Sequence, residues 1–325
     1  FKAADGKVYF DVNDFDESIL APVTRDLIRL LASILVARKT LDIDRSESLE
    51  LCHEFLQTYC QTLAEGKAQA FDRESAKGMV DQLLEKLEGR SQQDFLDSRT
   101  VFEGKARRLR LDGKKTLAVD AKQRSEVKAA MAVFANQQAE LEPLEMLDVA
   151  RRIAGTGSLG IERFVILVED EGSADKNRLL DLKESLPSSL PSTVAQPQWE
   201  SQAHRIVAVQ QRLRASELTL LSPLSLQGRS FVLRELQPSE DRVVLDECKK
   251  FSQVEGVIRS LAKVVAAGHL RGSEWRSSAP KADLLAFATR QGWQQTLIEV
   301  AQDCASQVKS DWRDFAAAFD EGLMA

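Results

Sequence analysis

At 325 residues the chain is long enough for two separately cored lobes. Its 43% hydrophobic and 29% charged residues are the ordinary balance of a soluble folded protein. A net charge of −6 argues against a general nucleic-acid binder, which carries a basic excess, and no run reaches the roughly 18 apolar residues of a membrane span.

Residues 7–13 alternate in β-forming types and predict a strand, with Asp5-Gly6 as a hairpin turn before it. Asp11, Asn13, Asp14, Asp16 and Glu17 then crowd its end. Clustered carboxylates repel unless a cation or hydrogen bonds offset them. Magnesium takes one or two carboxylates plus phosphate oxygens. Asp14 is therefore a candidate metal ligand, with Asp16 or Asn13 as a second ligand or as the group that orients the first. An acidic turn explains the same residues, and both readings stand. Asp26 opens the next helix, where its expected role is structural, capping backbone amides or holding the candidate metal loop. Leu27, Leu30, Leu31 and Ile34 share one face of that helix.

Further helices are predicted over about 46–65 and 74–89. Cys52 and Cys60, with Cys248 and Cys304 further on, form no CxxC pair, and His53 completes no zinc spacing. They read as reduced thiols of a cytoplasmic protein. Residues 94–122 gather Arg107, Arg108, Arg110, Lys114 and Lys115 around Asp112-Gly113 and predict a basic loop or short hairpin. Such a segment is solvated by default, yet could recognise an anionic substrate. Helical composition returns over 123–147.

From Asp148 the pattern becomes strand, glycine loop, strand, turn, strand. Gly155, Gly157 and Gly160, with Ser158 between them, match GxGxxG. Exposed amides of such a loop cradle phosphates in two settings: opening a helix in a dinucleotide fold, or joining antiparallel strands in a kinase-like one. Residues 161–169 are β-branched and aromatic, a strand rather than a helix start, which favours the second setting; a plain turn remains the bland alternative. Lys183, on a predicted strand over 179–184, could reach triphosphate oxygens. Glu200, Gln210 or Gln211, on a helix over 199–215, could hold it. Residues 187–197, with Pro187, Pro191 and Pro197, predict a flexible connection. Short strands follow near 218–221 and 231–236, then helices to the end with a break at 268–280. The class is α+β: helical residues 1–147 and 241–325 bracket a small β-rich lobe at 148–240.

Val12 to Ser18, Pro22 and Arg25-Asp26-Leu27 resemble the metal segment of aminoglycoside-phosphotransferase-like kinases. Asn13–Ser18, Gly155–Gly160, Leu182–Ser185, His204–Arg212 and Leu233–Leu236, in that order, resemble a bacterial family, domain-of-unknown-function family 2252. The resemblance spans about residues 8 to 275. It implies a protein-kinase-like two-lobed fold in circularly permuted order, because Asp14 precedes Gly155 by 155 − 14 = 141 residues. It also implies an ATP- and magnesium-dependent phosphotransferase of unknown acceptor, small molecule or protein, or else an inactive, pseudokinase-like nucleotide-binding module. Gly155, Gly157, Ser158, Gly160 and Lys183 would hold phosphates, Asp14 and Asp16 the metal, and the backbone of Glu235 and Leu236 the base. Catalysis would rest on positioning and charge neutralisation. The family's catalytic aspartate belongs to a loop expected upstream of Phe1, so no residue is assigned to it. The family's helix motif ends Gln-Arg, where this chain has Gln210-Gln211-Arg212. His269, which resembles an Ala-His ending of the family, is expected beside a carbonyl at a helix end. If the glycine loop is only a turn, the chain reads as a helical interaction protein.

Overall fold

The computed structural model describes residues 1–137, 144–155, 160–169, 177–238, 241–276 and 279–323. Helices α1 (Thr24–Ala37) and α2 (Arg45–Glu65) follow the N-terminal segment. α1 buries Leu27, Leu31, Ile34 and Leu35, as their i, i+3, i+4 spacing requires. α2 opens in a capping box, in which the Asp44 side chain accepts from the Glu47 amide while Glu47 accepts from the Asp44 amide. It ends at Gly66 with φ 64°.

Near the C-terminus, α7 (Phe251–Gly272), α8 (Lys281–Thr289) and α9 (Trp293–Asp320) complete the helical lobe. Its core includes Leu27, Phe55, Tyr59, Ile258, Ala266 and Ile298. α7 runs through Gly268, where a break was expected. A Cβ at Gly272 would stand 2.8 Å from Leu213 Cδ2, so this end of α7 is small for close approach to another helix rather than for stopping. No helix among the described residues is long and apolar enough to cross a membrane.

Residues 7–13 do not form the expected strand. Lys2 and Val8 make one isolated bridge, and the Phe10 amide turns to the Phe71 carbonyl at 2.9 Å. Val8 instead packs on α3 (Met79–Glu88) and α7 through Val80, Leu84 and Val257, so burial against helices outweighed the alternating pattern. Asp14 therefore does not leave a strand.

The basic segment contains a short hairpin, the second of its two readings. α4 (Gln92–Arg99) leads into a hairpin of β1 (Thr100–Glu103) and β2 (Ala106–Leu109). Its turn lies at Gly104, φ 65°, ahead of Asp112-Gly113.

The main sheet is antiparallel, in the order β3-β4-β5-β6-β8-β7. Its strands are β3 (Thr116–Leu117), β4 (Met146–Arg152), β5 (Arg163–Val168), β6 (Arg178–Glu184), β7 (Leu221–Leu226) and β8 (Arg229–Leu236). Residues alternate between its faces. Ile166, Leu180, Leu182, Phe231 and Leu233 meet α5 (Ala121–Gln137) through Val127, Met131 and Phe134. β3 and α5 thus pack with the sheet, although their residues fall before the expected lobe boundary at 148. On the other face Val165, Leu167, Leu179 and Leu236 are covered by Leu96 of α4 and Leu109 of β2. α6 (Gln202–Leu213) crosses that second face beside β8, where Ala203, Ile206 and Val207 meet Val232 and Phe15. The chain is thus a mixed α+β protein with a small hairpin, a larger sheet and a helical lobe.

Candidate functional site

β6 presents Leu179, Asp181 and Lys183 to the second face of the sheet, since side chains alternate with period two. Asp181 is fully buried. Arg163, one row away on β5, grips it with Nε and Nη2 at 2.6 and 2.5 Å. Arg152 Nη1 donates to it at 2.8 Å and Arg234 Nε at 3.2 Å. Burial alone would raise the Asp181 carboxyl; the Arg163 hydrogen bonds and the three guanidinium charges override it and hold it far below the usual carboxylate range.

Two residues on, Lys183 lies opposite Arg163 in the register. Its Nζ forms an ion pair with Asp16 of the acidic turn. This ion pair brings two of the candidate residues together, the strand lysine and an aspartate of the acidic segment, across 167 positions. It is also a correction: the partner of Lys183 is Asp16, rather than Gln210 or Glu200. Glu200 precedes α6, which starts after Ser201, and its carboxylate meets His204 at 3.2 Å on the surface. Gln210 is buried, and its Nε2 lacks a hydrogen-bond partner.

The acidic turn is held on several sides. Asp14 is exposed and has φ 72°, a left-handed conformation that few non-glycine residues adopt and that clusters at functional sites. Asn13 Oδ1 accepts from Arg214 Nη2 at 3.3 Å. Arg205 of α6 is buried and donates to the Asp16 carbonyl at 2.8 Å, the Ser18 carbonyl at 2.5 Å and the Leu186 carbonyl at 3.1 Å. Desolvation lowers its guanidinium pKa, against the charges of Glu17 and Asp16. Glu17 accepts from the Ser189 amide at 2.7 Å and the Ser188 hydroxyl at 2.9 Å. Gln196 brackets the Leu20 amide and carbonyl, each at 2.8 Å. The connection expected to be flexible is therefore tied along the acidic turn.

The glycine motif joins the antiparallel strands β4 and β5, as its β-branched continuation required. Gly155 and Gly160 flank it with φ 81° and 86°; Gly157 and Ser158 lie outside the described residues. Arg163 Nη1 reaches the Ala154 carbonyl at 3.4 Å, placing the loop's start beside the row that carries Lys183. Gly155 and Leu236 both line a cavity of about 720 Å³. Glu235 points to the opposite face, 3.9 Å from Arg178.

Asp26 opens α1 and accepts from His269 Nε2 at 3.2 Å, while His269 Nδ1 lies 2.8 Å from the Tyr59 hydroxyl. His269 thus links α1, α2 and α7 by side chains instead of resting on a carbonyl. Partial burial raises the Asp26 carboxyl, but the His269 hydrogen bond and charge pull it below its ordinary value.

Among the described residues no group of three His, Cys, Asp or Glu side chains is placed to hold a metal, so Asp14 and Asp16 are at most a two-carboxylate set. Cys52 is buried, and the other three cysteines are half-buried and unpaired.

Sequence reasoning missed Arg205, Arg163 and Asp181. The available signals were an aspartate inside the apolar run Leu179–Leu182, and an arginine among the apolar residues of α6. Neither a curated protein nor a solved structure matches the chain. A family model described as "uncharacterized protein conserved in bacteria", domain-of-unknown-function family 2252, matches residues 1–318, and the chain belongs to that family.

Proposed function

We propose that the protein binds a nucleoside triphosphate with magnesium between the sheet and the acidic turn, in a kinase-like, permuted arrangement, as a phosphotransferase. The observation that carries this reading is the Lys183–Asp16 ion pair beside the glycine-flanked loop. Lys183 retains 19% side-chain exposure and Asp16 39%, so both ends of the pair remain reachable. An incoming phosphate would take Lys183 from Asp16, and Asp16 would become free to ligate a cation. Asp14, already exposed on its strained turn, is the other oxygen donor, and two carboxylates with phosphate oxygens suit magnesium. Bound there, the cation would neutralise phosphate charge. The amides from Gly155 to Gly160 would orient the phosphates, and Arg205 would hold the acidic turn in register with β6.

Thermal unfolding with ATP and magnesium tests this. A ligand at 100 times its Kd adds about 2.7 kcal/mol of stability, a rise of several degrees. Lys183→Ala and Asp14→Asn are expected to abolish that rise while leaving the ligand-free transition nearly unchanged. No rise in the parent protein, or an undiminished rise in both variants, sinks the reading.

A further inference from the structure

The cavity lined by Gly155 and Leu236 has a wall that the nucleotide reading does not use. Arg99, Arg110, Lys115 and Arg152 all face it, against the single carboxylate of Asp112. That carboxylate is turned to its own loop, where Asp112 Oδ1 accepts from the amides of Lys114, Lys115 and Thr116 at 2.7 to 2.8 Å. Among the described residues no carboxylate pairs with Arg99, Arg110 or Lys115. Among the described residues Arg99 donates to neutral groups, the Ser98 hydroxyl at 2.8 Å and the Phe95 carbonyl at 3.4 Å, with its guanidinium over the Phe95 ring. Arg110 likewise donates to the carbonyls of Asp97 and Thr100. Desolvation, then the repulsion of Arg152, lowers the Arg99 pKa. Arg152 has a share of Asp181, but Arg163 and Arg234 draw on the same carboxylate.

The remaining wall is apolar, with Leu109, Val165 and Leu236. About 720 Å³ is the size of a small-molecule site. A second cavity, of about 500 Å³, shares Arg99, Arg152 and Leu236 with it.

We infer that this cavity binds a small organic phosphate monoester, with its phosphate between Arg99, Arg152 and Lys115 and its carbon body against Leu109 and Val165. Guanidinium forks match phosphate oxygens in pairs, and the surplus of cations calls for a ligand of at least two negative charges. The inference stands whether or not the protein transfers phosphoryl groups.

Calorimetric titration of the full chain at low ionic strength tests it, with glycerol 3-phosphate, inorganic phosphate, succinate and glycerol as probes. Glycerol 3-phosphate is expected to bind saturably with a Kd below about 1 mM, inorganic phosphate more weakly, and glycerol not at all. Arg99→Ala is expected to weaken glycerol 3-phosphate at least about 10-fold, as loss of a charged hydrogen-bond partner does. Lys115→Ala, on an exposed loop where folding is not at stake, should weaken it by about 3- to 10-fold. Lys183→Ala should leave it within about twofold. No saturable binding of glycerol 3-phosphate overturns the site. Succinate binding as tightly overturns the phosphate class. Equal loss in Lys183→Ala, or mutual displacement with ATP, overturns a site distinct from that of the nucleotide.

Discussion

Asp181 and Lys183 stand two residues apart on one face of one strand, and they hold opposite kinds of charge pairing. Asp181 is fully buried and shared by three arginines, all from strands of the same sheet. Lys183 is partly exposed and has, among the described residues, one acidic partner, from a turn 167 positions away. A buried charge with surplus partners has nowhere to go, and it fixes the sheet. A half-exposed charge with one exchangeable partner can trade that partner for a ligand. The strand thus separates a structural ionic cluster from a candidate binding group within a single step of its pleat.

The sharpest way to break this contrast is Asp181→Asn. It leaves Arg163 and two further guanidinium groups around an uncharged amide. Removing one partner of a buried ionic cluster costs about 3–5 kcal/mol, and urea unfolding should show a loss of that size. Lys183→Ala should cost less than about 1 kcal/mol without ligand, because partly exposed pairs contribute little. If the two substitutions cost the same, the division between structure and site fails.

Arg205→Ala comes next. Arg205 joins α6 to the carbonyls of Asp16, Ser18 and Leu186, so it couples the acidic turn to the sheet that carries Lys183. Hydrogen bonds from a charged donor contribute about 1.5–3 kcal/mol, and a loss of about 2–3 kcal/mol is expected. Amide exchange over residues 14–20 should accelerate more than exchange in α2. Uniform acceleration throughout the chain would mean that Arg205 supports the fold generally rather than the turn.

These residues also mark how far the sequence could be read. Long periodic elements were legible: α2 was placed by its periodicity, and the β-branched run after the glycine loop pointed to a strand rather than a helix. The acidic turn and Lys183 were legible as candidates, and they do meet. Elements of four to eight residues, such as α4 and the β1–β2 hairpin, are too short for periodicity to separate from a loop. Residues 7–13 alternate like a strand, yet their amides and side chains find helices and Phe71 in place of a sheet. The partner of Lys183 was sought on α6 because a kinase-like site holds its lysine from the next helix, whereas the partner in the structure arrives from the start of the chain. Arg205 was invisible because its acceptors lie up to 189 positions away.

The smallest expected effect concerns the pair most remote from the sheet, Asp26 and His269. Its Asp26 end is 60% exposed, which screens the interaction. The folded-state pKa of Asp26 lies below its ordinary value. Its contribution is therefore present above the unfolded pKa, near 3.9, and fades as pH falls through the lower folded value. Asp26→Asn should cost a few tenths of a kcal/mol, roughly the lower range for an exposed pair, near pH 7. The difference from the parent should shrink toward zero as the carboxyl is protonated below about pH 4. Urea unfolding across that range provides the measurement. A difference that stays constant with pH would mean that the charge of Asp26 contributes nothing, and that His269 is held by Tyr59 without its help.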